Sequence, residues 1–202
     1  SNYREFKSWD NSMQYMYKVL NTSEIKDDCG IAIEYRIPSS AKRIDFIISG
    51  IDKNSKENIV IIELKQWEKV EEVTDEDALV KTFINKALVK TVHPSYQAWT
   101  YKALIEDYND SVQNGKIILH PCTYLHNYIK CSENDPLLSD RYKTYIDRAP
   151  VYRKGEAIRL REFILQFIKD GDKGNSINEI ENGKIRPSKS LQDALVLMLD
   201  GN

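Results

Sequence analysis

The sequence predicts an α/β fold: a helix, a three-stranded meander, a second helix and a further strand, with C-terminal helices after them. Three observations predict it. Apolar residues recur at spacings of three and four between Ser8 and Leu20, the period of an amphipathic helix. Three strand-like runs then crowd into residues 31–65, separated by turn residues. A helical stretch and another β-like run follow between 95 and 119.

Trp9, Met13, Met16 and Leu20 carry the first helix, and Asp27-Asp28-Cys29-Gly30 break it. The first strand runs from Ile31 to Ile37 and is closed by Pro38. Its alternation puts Ile31, Ile33, Tyr35 and Ile37 on one face and Ala32, Glu34 and Arg36 on the other. The second strand, Arg43 to Ser49, ends at Gly50 and the turn Asp52-Lys53-Asn54. The third, Asn58 to Lys65, is nearly continuous in apolar character, as a central strand buried on both faces is.

Residues 68–77 set Glu68, Glu71, Glu72, Asp75, Glu76 and Asp77 against Lys69 alone and read as a solvated loop or edge. Leu79–Phe83 and Leu88–Val92 form a hairpin around Asn85-Lys86. The second helix spans Ser95 to about Tyr108, with Pro94 before it; Ser95 is one candidate cap, and His93, before Pro94, is the other residue placed to cap or brace it. Lys116–Leu119 is a strand running into Pro121. Helices over Gly155–Lys169 and Ser188–Leu199, the latter capped by Ser188 or Ser190, flank a polar connector from Gly171 to Pro187. The domain reading is 1–170 for the α/β unit and 171–202 for the connector and last helix.

The chain has 202 residues, enough for one domain that hides roughly 70% of its unfolded surface. Apolar residues at 41% and charged residues at 30% place it among globular rather than disordered chains. A net charge of -2 excludes a binder held to nucleic acid by bulk positive charge, while leaving room for a local basic strip. Cys29, Cys122 and Cys131 form no disulfide framework, and the opening Ser1-Asn2-Tyr3-Arg4-Glu5 carries no signal-peptide pattern. No apolar run approaches a bilayer span, so a cytoplasmic protein with no membrane association is expected. The start without Met and the end inside helix-like text read as a domain cut from a longer protein.

The chemistry-bearing residues lie on the second and third strands. Asp45 sits in an otherwise apolar run, and Glu63-Leu64-Lys65 ends another, with Glu63 and Lys65 on one face. An acid and an ammonium at the end of a central strand are expensive to half-bury. A strand-end salt bridge accounts for such a pair by itself. Hairpin pairing, however, brings Asp45 beside Glu63, and two carboxylates in an oxygen-rich site suit Mg²⁺. A neighbouring lysine then orients water and offsets charge on a phosphate.

Asp45 followed by Glu63-x-Lys65 resembles the PD-(D/E)XK nuclease signature, with Ile44-Asp45 in place of its Pro-Asp pair. Gln97-Ala98-Trp99-Thr100-Tyr101 is similar to the Q-x-x-x-Y motif of the RecB-like branch, which that branch carries in the helix after the third strand. Residues four apart share a helix face. A broader resemblance rests on Glu34–Pro38, Lys42–Phe46, Ile62–Trp67, His93–Gln97, Pro121–Asn127 and the tail Ile185–Ala194. These are similar to the amino-terminal region of bacterial Schlafen-like DNA/RNA helicase proteins, in which a P-loop helicase domain follows. No G-x-x-x-x-G-K-[ST] occurs in this chain, so the helicase partner would lie in cis beyond it.

The resemblance implies a restriction-endonuclease-like core and an endo- or exonuclease dependent on Mg²⁺ or Mn²⁺ that hydrolyses phosphodiester bonds, with DNA as substrate. It implies Asp45 and Glu63 as metal ligands, with the Leu64 carbonyl as a further one. Lys65 would position water or stabilise the transition state, and Gln97 and Tyr101 would orient the scissile strand. DNA processing or defence against foreign DNA follows from the resemblance alone. The alternative is a nuclease fold that has lost cleavage and binds nucleic acid or regulates the helicase.

The family often adds an acid or a histidine on the first helix. Glu5, Asp10 and Glu24 flank that helix and none stands out. Glu34 is the other candidate acid; its competing reading is an edge charge paired with Arg36 or Arg43. Cys122, His126 and Cys131, with Cys29, have spacings that match no common zinc motif. Trp67 and Trp99 near the motifs read either as core or as base-stacking platforms. Between 141 and 161, Arg141, Lys143, Arg148, Arg153, Lys154, Arg159 and Arg161 interleave with Tyr142, Tyr145 and Tyr152, a pattern that suits a phosphate-tracking groove, an ordinary solvated face or a docking surface for the helicase domain.

Overall fold

A computed structural model describes residues 3–183 and 196–197. The expected helix over Ser188–Leu199 lies outside them except at 196–197, which are helical, and the side chains of Glu5 and Asp10 also lie outside the description. The chain runs α1 (Tyr3–Leu20), β1 (Gly30–Arg36), β2 (Arg43–Ile51), β3 (Glu57–Lys65), β4 (Glu71–Glu72), β5 (Leu79–Ile84), β6 (Ala87–Val92), α2 (Pro94–Tyr108), α3 (Asp110–Gln113), β7 (Ile117–Leu125), α4 (Lys143–Arg148), β8 (Val151–Arg153), α5 (Ala157–Phe167) and α6 (Asn175–Asn182).

The fold is mixed α/β. One sheet has the order β1-β2-β3-β7-β8; its first three strands are antiparallel, and β7 and β8 run parallel to β3. β3 has a strand on either side, and Ile59, Val60, Ile61 and Ile62 are completely buried. Alternation sends Val60 and Ile62 towards α1 and α5, where Met16, Val19, Leu160 and Ile164 meet them. Ile59 and Ile61 face α2 and α6 and pack on Tyr101, Ile105, Ile177 and Ile180. Each fully buried aliphatic side chain contributes about 1.5–3 kcal/mol, so this strand anchors both layers. No helix among the described residues is long and apolar enough to cross a membrane.

Several local expectations change. The clean alternation over 31–37 breaks at Glu34, whose φ is +50°: Ile31 and Ile33 are exposed while Tyr35 and Ile37 are buried. β7 does not stop at Leu119 but continues through Pro121 to Leu125. Proline is tolerated there because β8 pairs with β7 only at 123–125, so the missing N–H falls where β7 has no neighbour on that side. Part of the connector expected from 171 to 187 is α6, whose Ile177 and Ile180 join the core. Most of the acidic stretch 68–77 is loop, yet Glu71 and Glu72 pair with the β5–β6 hairpin to make a three-stranded second sheet. The hairpin turns through Asn85 and Lys86, both left-handed (φ +51° and +66°), the twist a two-residue type I′ loop requires.

Candidate functional site

Asp45 and Glu63 meet because of the β2–β3 register. The ladder's last pair is Phe46 with Ile62; one step further along the same count, Asp45 stands opposite Glu63. The ladder does not continue there. Instead Asp45 Oδ2 accepts the Leu64 N–H at 2.9 Å, so a carboxylate takes the place of a backbone acceptor. The N–H and C=O of one strand residue point to the same side, and the Leu64 carbonyl therefore opens towards the gap that holds Asp45.

Glu63 is held at both its backbone and its side chain. Its carbonyl accepts the Thr123 hydroxyl at 3.1 Å from β7, and its Oε1 meets the Lys65 ammonium at 3.1 Å. The side chain is only 4% exposed, and Oε2 is buried with no hydrogen-bond partner. Burial pushes the Glu63 carboxyl up to about 8; Lys65 opposes the shift and the Asp45 charge adds to it. Burial also raises the Asp45 carboxyl, against the Leu64 N–H and Lys65, which hold it down. Two carboxyl groups thus share a dry space beside one ammonium. Lys65 itself is 18% exposed and lies 5.2 Å above the Trp67 ring.

The helix α2 brings Gln97 and Tyr101 to this spot. Gln97 Nε2 donates to the Tyr101 hydroxyl at 2.8 Å. Burial raises the Tyr101 phenol above its ordinary range, and the charges of Glu63 and then Asp45 are close enough to add to the shift. The helix is capped by His93 rather than Ser95. The His93 Nδ1 accepts the Ser95 N–H at 3.0 Å, leaving Nε2–H to donate to the Leu137 carbonyl at 2.9 Å. Ser95 instead donates its hydroxyl to the Ala149 carbonyl at 2.7 Å. Full burial pushes the His93 imidazole down to about 4, so it serves as a neutral structural brace.

Glu34 stands at the margin. The β1–β2 register puts it opposite Asp45, and its charge raises the Asp45 carboxyl slightly. Its side chain is 53% exposed and makes a long ion pair of 4.0 Å with Arg43. Glu24 is exposed in the turn after α1. What α1 does bring to the end of β3 is Ser12, whose hydroxyl meets His126 Nε2 at 3.2 Å and accepts Gln66 Nε2 at 3.4 Å. No local signal marks Ser12 or Thr123, because each reaches the site from a distant segment, and His126, weighed in the sequence with the cysteines, serves here as the partner of Ser12.

The cysteines are scattered: Cys122 is buried, Cys29 half-buried and Cys131 exposed. Among the described residues no group of three or more His, Cys, Asp and Glu side chains is gathered to hold a metal. Trp99 lies beneath the Arg148 guanidinium, 4.6 Å from it. The basic strip is largely engaged within the fold. Arg141 bonds the Val73 carbonyl, Lys143 pairs with Asp147, and Arg161 donates to the carbonyls of Val19 and Lys18. Arg153 and Arg159 both serve the buried Glu156.

In comparisons with known proteins, no family model, no curated protein and no solved structure matches this chain.

Proposed function

We propose that this chain is a divalent-metal-dependent nuclease domain that hydrolyses phosphodiester bonds, principally in DNA, beside a helicase domain on the same polypeptide. The observation that carries the reading is the opposition of Asp45 and Glu63 where the β2–β3 ladder stops, next to Lys65, with one Glu63 oxygen buried and unpartnered. A buried carboxylate oxygen without a partner is costly, and a hard cation is the partner such oxygens suit. Asp45, Glu63 and the Leu64 carbonyl would hold Mg²⁺ or Mn²⁺. The cation, when bound, supplies an acidified water and neutralises charge on the phosphate. The Lys65 ammonium would orient the attacking water and offset charge on the phosphoryl oxygens. Tyr101 keeps its proton and, with its oxygen occupied by Gln97, is a donor towards the scissile strand. The order helix, three-stranded meander, helix, parallel strand agrees with a restriction-endonuclease-like core. Three free cysteines suit a reducing cytoplasm.

A second reading is a nuclease-like module that grips nucleic acid or regulates the helicase without cutting. It is favoured by Glu34, which turns to Arg43 rather than completing an acidic triad. One assay separates the two. Single- and double-stranded DNA and RNA are incubated with the domain in Mg²⁺, Mn²⁺ or EDTA, with Asp45→Ala and Lys65→Ala in parallel. Metal-dependent cleavage reduced at least about 100-fold by either substitution is expected, the range in which general acid–base and electrostatic groups act. Cleavage that survives both would sink the site, and binding without cleavage would establish the second reading.

A further inference from the structure

We propose that the turn end of the β1–β2 hairpin is the phosphate-gripping rim of this site, with Arg36 and Arg43 holding the sugar–phosphate backbone next to the bond to be cut. The proposal deepens the nuclease reading and rests on it.

Arg36 and Arg43 are the final pair of the β1–β2 ladder and stand directly opposite each other. Like charges at such a position repel, and an anion between them relieves the repulsion. Residues 35–43 contain Arg36, Lys42 and Arg43 and no Asp or Glu. Arg36 ties its Nε to the Ser40 carbonyl at 3.1 Å, which orients the guanidinium against the turn. The Arg43 side chain is 62% exposed, and its contact with Glu34 is a long, exposed ion pair of small worth. Both forks therefore face water, and a guanidinium fork matches a phosphate's oxygens.

The rim lies at the right end of the sheet. β1 ends and β2 begins where β3 finishes, and Arg43 precedes Asp45 by two residues, about 7 Å along a strand. That step resembles the spacing of neighbouring phosphates in an extended strand. The turn also borders an open cleft of about 550 Å³, lined by Arg36, Pro38, Ser39, Ser40 and, on α6, Glu181. The acid on that far wall steers an anion towards the arginine side.

The test is fluorescence polarisation of a fluorescein-labelled oligodeoxythymidylate in EDTA over a salt series. Wild type is compared with Arg36→Gln, Arg43→Gln, Arg43→Lys and Lys53→Gln, the last an exposed cation in the β2–β3 turn at the opposite end of the sheet. Urea midpoints check that each variant is folded. Each Arg→Gln change should weaken binding several-fold and reduce the slope of log K against log salt by about 0.7, the value for one single-strand phosphate contact. Arg43→Lys should keep most of that slope, and Lys53→Gln should change nothing. Wild-type affinity and slope in both Arg→Gln variants would overturn the rim, even if Mn²⁺-dependent cleavage abolished by Asp45→Ala upheld the nuclease reading. Arginine-dependent binding with no cleavage in any metal would support the rim and remove the nuclease reading. No binding by the wild type would overturn the rim.

Discussion

A carboxyl group with one oxygen buried and unpartnered holds its proton more firmly than one in water. Glu63 is in that position, with its pKa pushed up to about 8 by burial while Lys65 pulls against it. A folded-state pKa above the ordinary 4.5 means the stability it contributes is complete below about pH 4.5 and is lost as pH rises towards 8. Glu63→Gln has no proton to give up. In EDTA, the stability of this variant relative to wild type should therefore increase steadily from pH 5 to pH 8, as measured by urea unfolding. A pH-independent difference would show that Glu63 is ionised in the fold. The Asp45–Glu63–Lys65 set was legible in the sequence because one short turn joins its two strands and so sets their register. Thr123, which secures the Glu63 carbonyl, was not, since its strand returns to β3 some sixty residues later and pattern alone does not say where.

At the scale of elements, the placement of Gln97 and Tyr101 depends on how α2 starts. His93 caps it and also bonds the Leu137 carbonyl, so one imidazole joins the helix to a separate segment. Removing both bonds from a completely buried site by His93→Ala should lower the unfolding free energy by about 2 kcal/mol at pH 7. The His93 pKa is lowered to about 4 from 6.5, so its stabilisation is full above pH 6.5 and is lost as pH falls towards 4. The difference between variant and wild type should close over that window in urea titrations; a gap that stays constant would contradict a neutral, buried imidazole. Helix, strands and hairpin were readable from period and turn chemistry. Of the two caps the sequence offered, Ser95 has the usual capping chemistry, yet its hydroxyl is drawn to the Ala149 carbonyl, a partner invisible in one dimension, and His93 takes the role.

Across the whole molecule, burial decides which charges are free to act. Glu156 is almost completely buried and is compensated by Arg153, Arg159 and Lys130, while Arg153 also pairs with Asp135. This network joins β8, the start of α5 and the segment at 135. Arg153→Ala should cost about 3 kcal/mol by leaving buried carboxylates short of a partner, read as a shift in the urea midpoint. A loss under 1 kcal/mol would mean that Arg159 and Lys130 suffice. The same network removes part of the basic strip at 141–161 from the pool of surface charge, whereas the short run at 36–43 keeps its arginines in water. What the sequence determined by itself is local: the helix and strand periods, the hairpin turn, and two carboxylates and a lysine brought together by a short connection. The tertiary structure decided the rest. It inserted β7 beside β3, let a proline sit within it, turned part of a polar connector into a core helix, and assigned partners to the charges. Those outcomes depend on which distant surfaces exclude water together, a property of the packed chain that no window of sequence contains.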